Sequence, residues 1–133
     1  MKMNDPREKY FIETFIQKNR RERLLHEFTD PGKRYAGISR FCHQADAFLD
    51  PKKIQLKEND LERQPAFEQF VCSHDESVLI LSPDSFLNER ELSFSEAVRE
   101  AVMNSDAVII LGSSFAAVFA EAEKGGRDKY LLF

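Results

Sequence analysis

The 133-residue chain is long enough to enclose a core of its own, and 32% charged with 42% hydrophobic residues is an ordinary globular composition. Two cysteines, Cys42 and Cys72, are too few for a disulfide framework. The longest nearly apolar segment, Ala107–Ala120, is interrupted by Gly-Ser-Ser and falls short of the roughly 20 residues that span a bilayer. No basic-plus-apolar leader opens the chain, so the reading is a soluble, cytoplasmic protein with reduced, buried thiols. The net charge of −4 conceals an asymmetry: residues 1–60 hold 13 Lys and Arg against 10 Asp and Glu, residues 61–133 hold 6 against 13.

Asp5-Pro6-Arg7-Glu8 is a helix start, with Asp5 as cap, Pro6 at the first helical position and Glu8 reaching back. Phe11, Ile12, Phe15 and Ile16 follow as an apolar stripe. Leu24, Leu25 and Phe28 form a second stripe that, at about 100° per residue, points the opposite way. One flat sheet cannot bury both. This predicts a break near Asn19, or a second subunit covering the leftover stripe and hence a homo-oligomer through the N-terminal helices. Pro31–Leu49 repeats Tyr35, Ile38, Phe41/Cys42, Ala45 and Phe48/Leu49 at helical spacing, so residues 1–50 read as a helical N-terminal part.

Residues 51–133 alternate strand and helix. Lys53–Lys57 is a short strand, Leu61–Cys72 a helix entered through Pro65, and Val78–Leu81 a buried strand. After the long connection Ser82–Leu92, the capping box Ser93-Phe94-Ser95-Glu96 opens a helix that buries Ala97, Val98, Ala101 and Val102 and ends at Asn104. Within Ser105–Phe133, Ala107–Leu111 reads as a strand buried on both faces and Gly112-Ser113-Ser114 as a turn. A helix with Phe115, Val118, Phe119 and Ala122 on one face follows and ends at Lys124-Gly125-Gly126-Arg127-Asp128, before the last strand Tyr130–Phe133. The order βαβαβαβ predicts a single domain over 1–133. It is a three-layer α/β/α domain with a four-stranded, mostly parallel, Rossmann-like sheet preceded by the N-terminal helices. Strand 107–111 would lie between 78–81 and either 130–133 or 54–56.

In such a sheet ligands bind outside the carboxyl ends of the strands, which nominates Glu58-Asn59-Asp60, Ser82–Leu92 and Gly112-Ser113-Ser114. The helix expected after Gly112 has no acid in its first turn, unlike the starts at Glu8, Glu22 and Glu96, so its free N–H groups suit a phosphate or carboxylate. Gly112, Ser113 and Ser114, with Ser82 and Ser85, are therefore the candidate ligand-binding residues. Asp84, close behind its strand, is the candidate acid or base, and Glu121 is the second. Neither G-x-G-x-x-G nor G-x-x-x-x-G-K-[ST] occurs, and no cofactor is predicted. The layout of strand, Ser113-Ser114, helix bearing Glu121 and terminal strand is loosely similar to the last part of nucleoside deoxyribosyltransferases, in which a helix glutamate faces the sugar. That family's Asp-x-Gly-Thr lead-in is absent, and the chain is not assigned to it.

Cys42-His43 and Cys72-Ser73-His74 carry zinc-ligand chemistry without zinc-ligand spacing, since neighbours on a helix diverge by about 100°; no metal site is predicted. Lys18, Arg20, Arg21, Arg23, Lys33, Arg34 and Arg40 make the N-terminal helices basic. Glu13, Glu22 and Glu27 intersperse them without aromatic alternation, the pattern of a solvated face. Three functional readings follow. The first is a protein binding a small anionic or nucleotide-like ligand, with or without catalysis, at the carboxyl-end loops. The second is a non-catalytic interaction or regulatory module using the N-terminal helices, and the third binds nucleic acid through the basic cluster.

Overall fold

Asp5 caps the first helix as its position demands: its Oδ1 accepts the Arg7 amide at 2.9 Å, with Pro6 at the first helical position. Helix α1 (Pro6–Phe15) then stops, because Ile16 and Gln17 are extended, and α2 (Lys18–Thr29) begins at a new angle. The break just ahead of Asn19 solves the problem of the two opposed stripes. Phe11, Ile12, Phe15 and Ile16 are buried, and so are Leu24 and Phe28. Gln17 fastens the joint, its amide donating to Phe48 C=O at 2.8 Å. The expected single helix Pro31–Leu49 is two, α3 (Arg34–His43) and α4 (Ala45–Phe48). Gly37 of α3 lies so close to α2 that a Cβ there would stand 2.9 Å from Glu27 Cβ.

The computed structural model describes residues 5–104, 106–121 and 127–133. Six strands follow or interleave with two further helices. They are β1 (Ile54–Glu58), α5 (Pro65–Ser73), β2 (Ser77–Leu81), β3 (Glu91–Ser93), α6 (Phe94–Met103), β4 (Val108–Leu111), β5 (Ala116–Phe119) and β6 (Lys129–Leu132). They form one sheet in the order β1-β6-β5-β4-β2-β3, and each of its five neighbouring pairs is antiparallel. This corrects the four-stranded, mostly parallel, Rossmann-like sheet with βαβαβαβ order. Strand β4 is interior, as its apolar run implies, but its neighbours are β2 and β5, and both run against it. The physical reason is that a continuous apolar strand reports burial on two faces and says nothing of direction. Here both faces are covered: Ile109 and Leu111 point to the core under α1–α4, Val108 and Ile110 to the core under α5 and α6.

The decisive difference lies at 115–119. The expected helix is strand β5, joined to β4 by the turn Gly112–Phe115, in which Gly112 N–H donates to Phe115 C=O at 2.9 Å. Phe115 and Phe119 do share a face, but with Ala117 and the α5–α6 core; Ala116, Val118 and Ala120 face the α1–α4 core. A four-residue spacing is even, so it satisfies a strand's alternation as well as a helix turn. The small alanines let a central strand carry helices on both sides. Ala122 and Lys124-Gly125-Gly126 of the expected helix, and Ser105 ahead of the strand, lie outside the described residues. Of the residues expected to be buried on α6, Val102 is exposed and Val98 only partly buried. Cys72 is exposed, against the reading of two buried thiols. Among the described residues no helix is long and apolar enough to cross a membrane.

Candidate functional site

Antiparallel pairing sends the nominated loops to opposite ends of the sheet. The segments after β1, β2 and β5 lie at one end, with the starts of β4 and β6; the β4–β5 turn lies at the other. Gly112, Ser113 and Ser114 are therefore remote from Ser82, Asp84, Ser85 and Glu121. No helix begins at Ser113, and its amide is not waiting for an anion. The carboxylate of Glu76 accepts the Ser113 amide at 3.0 Å through Oε2 and the Ser113 hydroxyl at 3.0 Å through Oε1. Ser114 is exposed, and Gly112 is buried beneath the Phe115 ring.

Ser82 and Asp84 hold their own loop. Ser82 Oγ donates to Ala107 C=O at 2.7 Å and accepts the Asp84 amide at 3.1 Å. Asp84 Oδ1 accepts the Phe86 amide at 2.9 Å, and Oδ2 accepts Asn104 Nδ2 at 2.9 Å. Ser85 is exposed on the same loop. Both Asp84 oxygens are thus engaged in fixing the connection from β2.

Glu121 has different company. It follows β5, its amide donates to Cys42 C=O at 3.2 Å, and its Oε2 lies 2.5 Å from His43 Nδ1 at the end of α3. The helix on which the resemblance to nucleoside deoxyribosyltransferases placed it is absent: Phe115–Ala120 lead up to it as an extended segment. Beside it opens a cleft of ≈ 260 Å³ lined by His43, Gln44, Asp46, Glu121, Asp128 and Tyr130, among others. Asp46 belongs to α4 and Tyr130 to β6, and the Tyr130 hydroxyl donates to Asp46 Oδ1 at 2.5 Å. Lys57 of β1 reaches the same carboxylate at 3.1 Å. The bond from Tyr130, helped by Lys57, holds the Asp46 carboxyl below the usual range against the opposing effect of burial. Tyr130 is shifted upward, by burial first and by the bond to Asp46 second, so it keeps its proton. A second, more open cleft lined by Lys57, Glu58, Asn59, Asp60 and Asp128 shares Asp128 with the first.

Cys42 lies behind this cleft, and burial, with Glu121 close by, pushes its thiol up to about 12. His74 is stacked on Phe70 at 3.9 Å between ring centroids, far in function from a metal ligand. Among the described residues no group of three or more His, Cys, Asp or Glu is arranged to hold a metal ion. Much of the basic cluster is spent inside the fold. Arg34 donates to both oxygens of the buried Glu8, at 2.6 and 3.0 Å, and to Phe28 C=O at 2.7 Å. Arg40 forks onto Glu27, and Arg21 donates to Ile16 C=O at 2.7 Å. Lys18, Arg20, Arg23 and Lys33 remain exposed.

The chain matches no family model, no curated protein and no solved structure. Of the residues lining the cleft, sequence reasoning singled out Glu121 as a candidate acid and weighed His43 only as a metal ligand. Asp46, in α4, and Asp128 and Tyr130, at the start of β6, carry no local motif, so nothing short of the fold brings them forward.

Proposed function

We propose that the protein binds a small amine-bearing ligand in the cleft between the α3–α4 junction and the ends of β5 and β6. The observation that carries this reading is the lining itself: the carboxylates of Asp46, Glu121 and Asp128 surround one recess, with Lys57 the neighbouring cation. Ionised carboxylates only accept hydrogen bonds, and the one phenolic proton on the wall, that of Tyr130, is already given to Asp46. His43 and Gln44 add donors to the wall, but its three carboxylates suit a donor-rich ligand, and their charge favours an ammonium over a phosphate. Ligand pockets usually measure roughly 300–1,000 Å³, so ≈ 260 Å³ favours a compact molecule. The anionic ligand expected at Ser113 loses its support, because Glu76 holds the amide it would use.

The test is a titration of the full chain followed by amide NMR, with ethylenediamine, spermidine and inorganic phosphate as probes. An amine should saturably move the amides of His43, Asp46, Glu121 and Tyr130, less strongly as salt is added. The double variant Glu121→Gln/Asp128→Asn should lose that response. A response to phosphate alone, or an amine response that survives both substitutions, would overturn the reading.

A further inference from the structure

His43 and Glu121 meet on the wall of the acidic cleft because the backbone brings them there. Glu121 N–H donates to Cys42 C=O at 3.2 Å, which sets the residue after β5 beside His43, the last residue of α3. One position earlier, Ala120 N–H donates to Asp128 C=O at 2.8 Å and ties the approach to β6 to the same strand end. The side chains then lie with His43 Nδ1 2.5 Å from Glu121 Oε2, and both residues line the cleft. The His43 side chain is 72% exposed, so solvent can deliver or remove its proton.

Histidine is the side chain that ordinarily changes charge between about pH 5 and 8. The other charged groups of the wall are Glu121 after β5, Asp46 of α4 and Asp128 ahead of β6, and carboxylates ordinarily titrate below that interval. Asp46 is held lower still by Tyr130 and Lys57, while burial keeps the protons of Cys42 and Tyr130 in place. On α3 itself Arg40 is forked onto Glu27. Arg127, within electrostatic reach of Glu121, donates to the carbonyls of Ala101, Asn104 and Asp106; arginine keeps its charge throughout. The other two histidines, His26 and His74, do not line the cleft. Among the described lining residues, His43 alone has the chemistry to change charge near neutral pH.

From this geometry we infer that the cleft is under proton control: an imidazolium at His43 and the ammonium of a bound amine compete for the Glu121 carboxylate, so the amine is held when His43 is neutral and released on acidification. The inference rests on the amine-binding reading and adds its regulation. Protonation of His43 places a positive charge directly on Glu121. The ammonium is then left with Asp128 and with Asp46, which Tyr130 and Lys57 already engage. One added unit charge about 6 Å from the ammonium, at an effective dielectric between those of protein surface and water, weakens binding about fivefold to tenfold. Linkage makes the effect reciprocal, so a bound amine expels the His43 proton by the same factor.

The experiment titrates the full chain with butane-1,4-diamine, which keeps both of its charges over the interval, at about pH 7.5 and about pH 5.5 and at constant ionic strength, followed by amide NMR. The wild type should bind about fivefold or more weakly at the lower pH. In His43→Asn, which alters an exposed side chain, the two affinities should agree. Saturating diamine should also lower the midpoint of the His43 ring titration by the logarithm of the same factor, with the rings of His26 and His74 unmoved. Failure of the diamine to bind at either pH would overturn the amine-binding reading and this inference with it. Saturable binding at the higher pH that is undiminished at the lower, a loss that persists in His43→Asn, or a His43 titration indifferent to the diamine would overturn the proton control alone and leave the binding reading standing.

Discussion

Glu76 closes on Ser113 with both carboxylate oxygens, one on the amide and one on the hydroxyl, each at 3.0 Å. Glu76 stands just before β2 and Ser113 in the β4–β5 turn, so the pair ties two connections at one end of the sheet. The carboxylate occupies the position in which an anionic ligand was expected, and the chain supplies it itself.

Glu76→Ala should therefore loosen the turn without unfolding the protein. Two charge-assisted bonds at a half-exposed site are worth about 1 kcal/mol together in this setting. Hydrogen exchange at the Ser113 amide should quicken in the variant. Inorganic phosphate should leave wild-type exchange at Ser113 unchanged; protection by phosphate would mean that Glu76 yields to an external anion.

Gly112 and Phe115 form a second tight pair. A Cβ on Gly112 would lie 2.4 Å from Phe115 Cζ, and Phe115 is buried, so Gly112→Ala must displace a core ring. The expected cost is about 1–3 kcal/mol in denaturant unfolding. In a Phe115→Ala background the same substitution should cost much less, since the ring it strikes is gone. Equal costs in both backgrounds would place the strain in the backbone.

Acid stability should follow the paired carboxylates. Asp46 is lowered from 3.8 by the bond from Tyr130, with Lys57 adding to it, and Glu27 from 4.5 by its bond to Arg40. A carboxyl whose folded pKa is depressed stabilises the fold above its unfolded pKa and loses that contribution as the pH falls through the folded one. Stability should therefore be level above about pH 4.5 and decline below it. Tyr130→Phe should cost roughly 1 kcal/mol at pH 7, and the gap to the wild type should narrow below about pH 4 as Asp46 is protonated. A gap unchanged at pH 2 would assign the loss to packing alone.

The two cysteines should differ sharply towards iodoacetamide. Cys42 is buried and its thiol is pushed up to about 12, whereas Cys72 is exposed. At pH 7.5 the folded protein should take up one label, at Cys72, and the second only on unfolding. Mass spectrometry of the native and denatured samples reads this directly. Rapid double labelling of the native protein would show that α3 opens readily around Cys42.

Local physics sufficed for much of this molecule. Asp5-Pro6 begins α1 by local means alone, because the cap and the fixed proline φ act within one turn. Ser93 and Glu96 likewise begin α6, with Ser93 Oγ accepting the Glu96 amide at 3.3 Å. Two opposed stripes called for a break, and the break is at Ile16-Gln17. The apolar run at 108–111 implied a strand covered on both faces. What the residues could not announce was direction, because antiparallel and parallel strands bury the same side chains when helices lie on either side. Nor could they choose between helix and strand at 115–119, where Phe115 and Phe119 suit both periodicities and the choice falls to the pairing of β5 between β4 and β6. That pairing sent Ser113 away from Asp84 and Glu121, and it brought His43, Asp46, Asp128 and Tyr130 around one cleft. A helix cap or a strand's burial is decided among neighbours in the chain. A cleft built from α3, α4 and the ends of β5 and β6 is decided only when residues some 80 positions apart, as Tyr130 and Asp46 are, are held 2.5 Å from one another by everything folded between them.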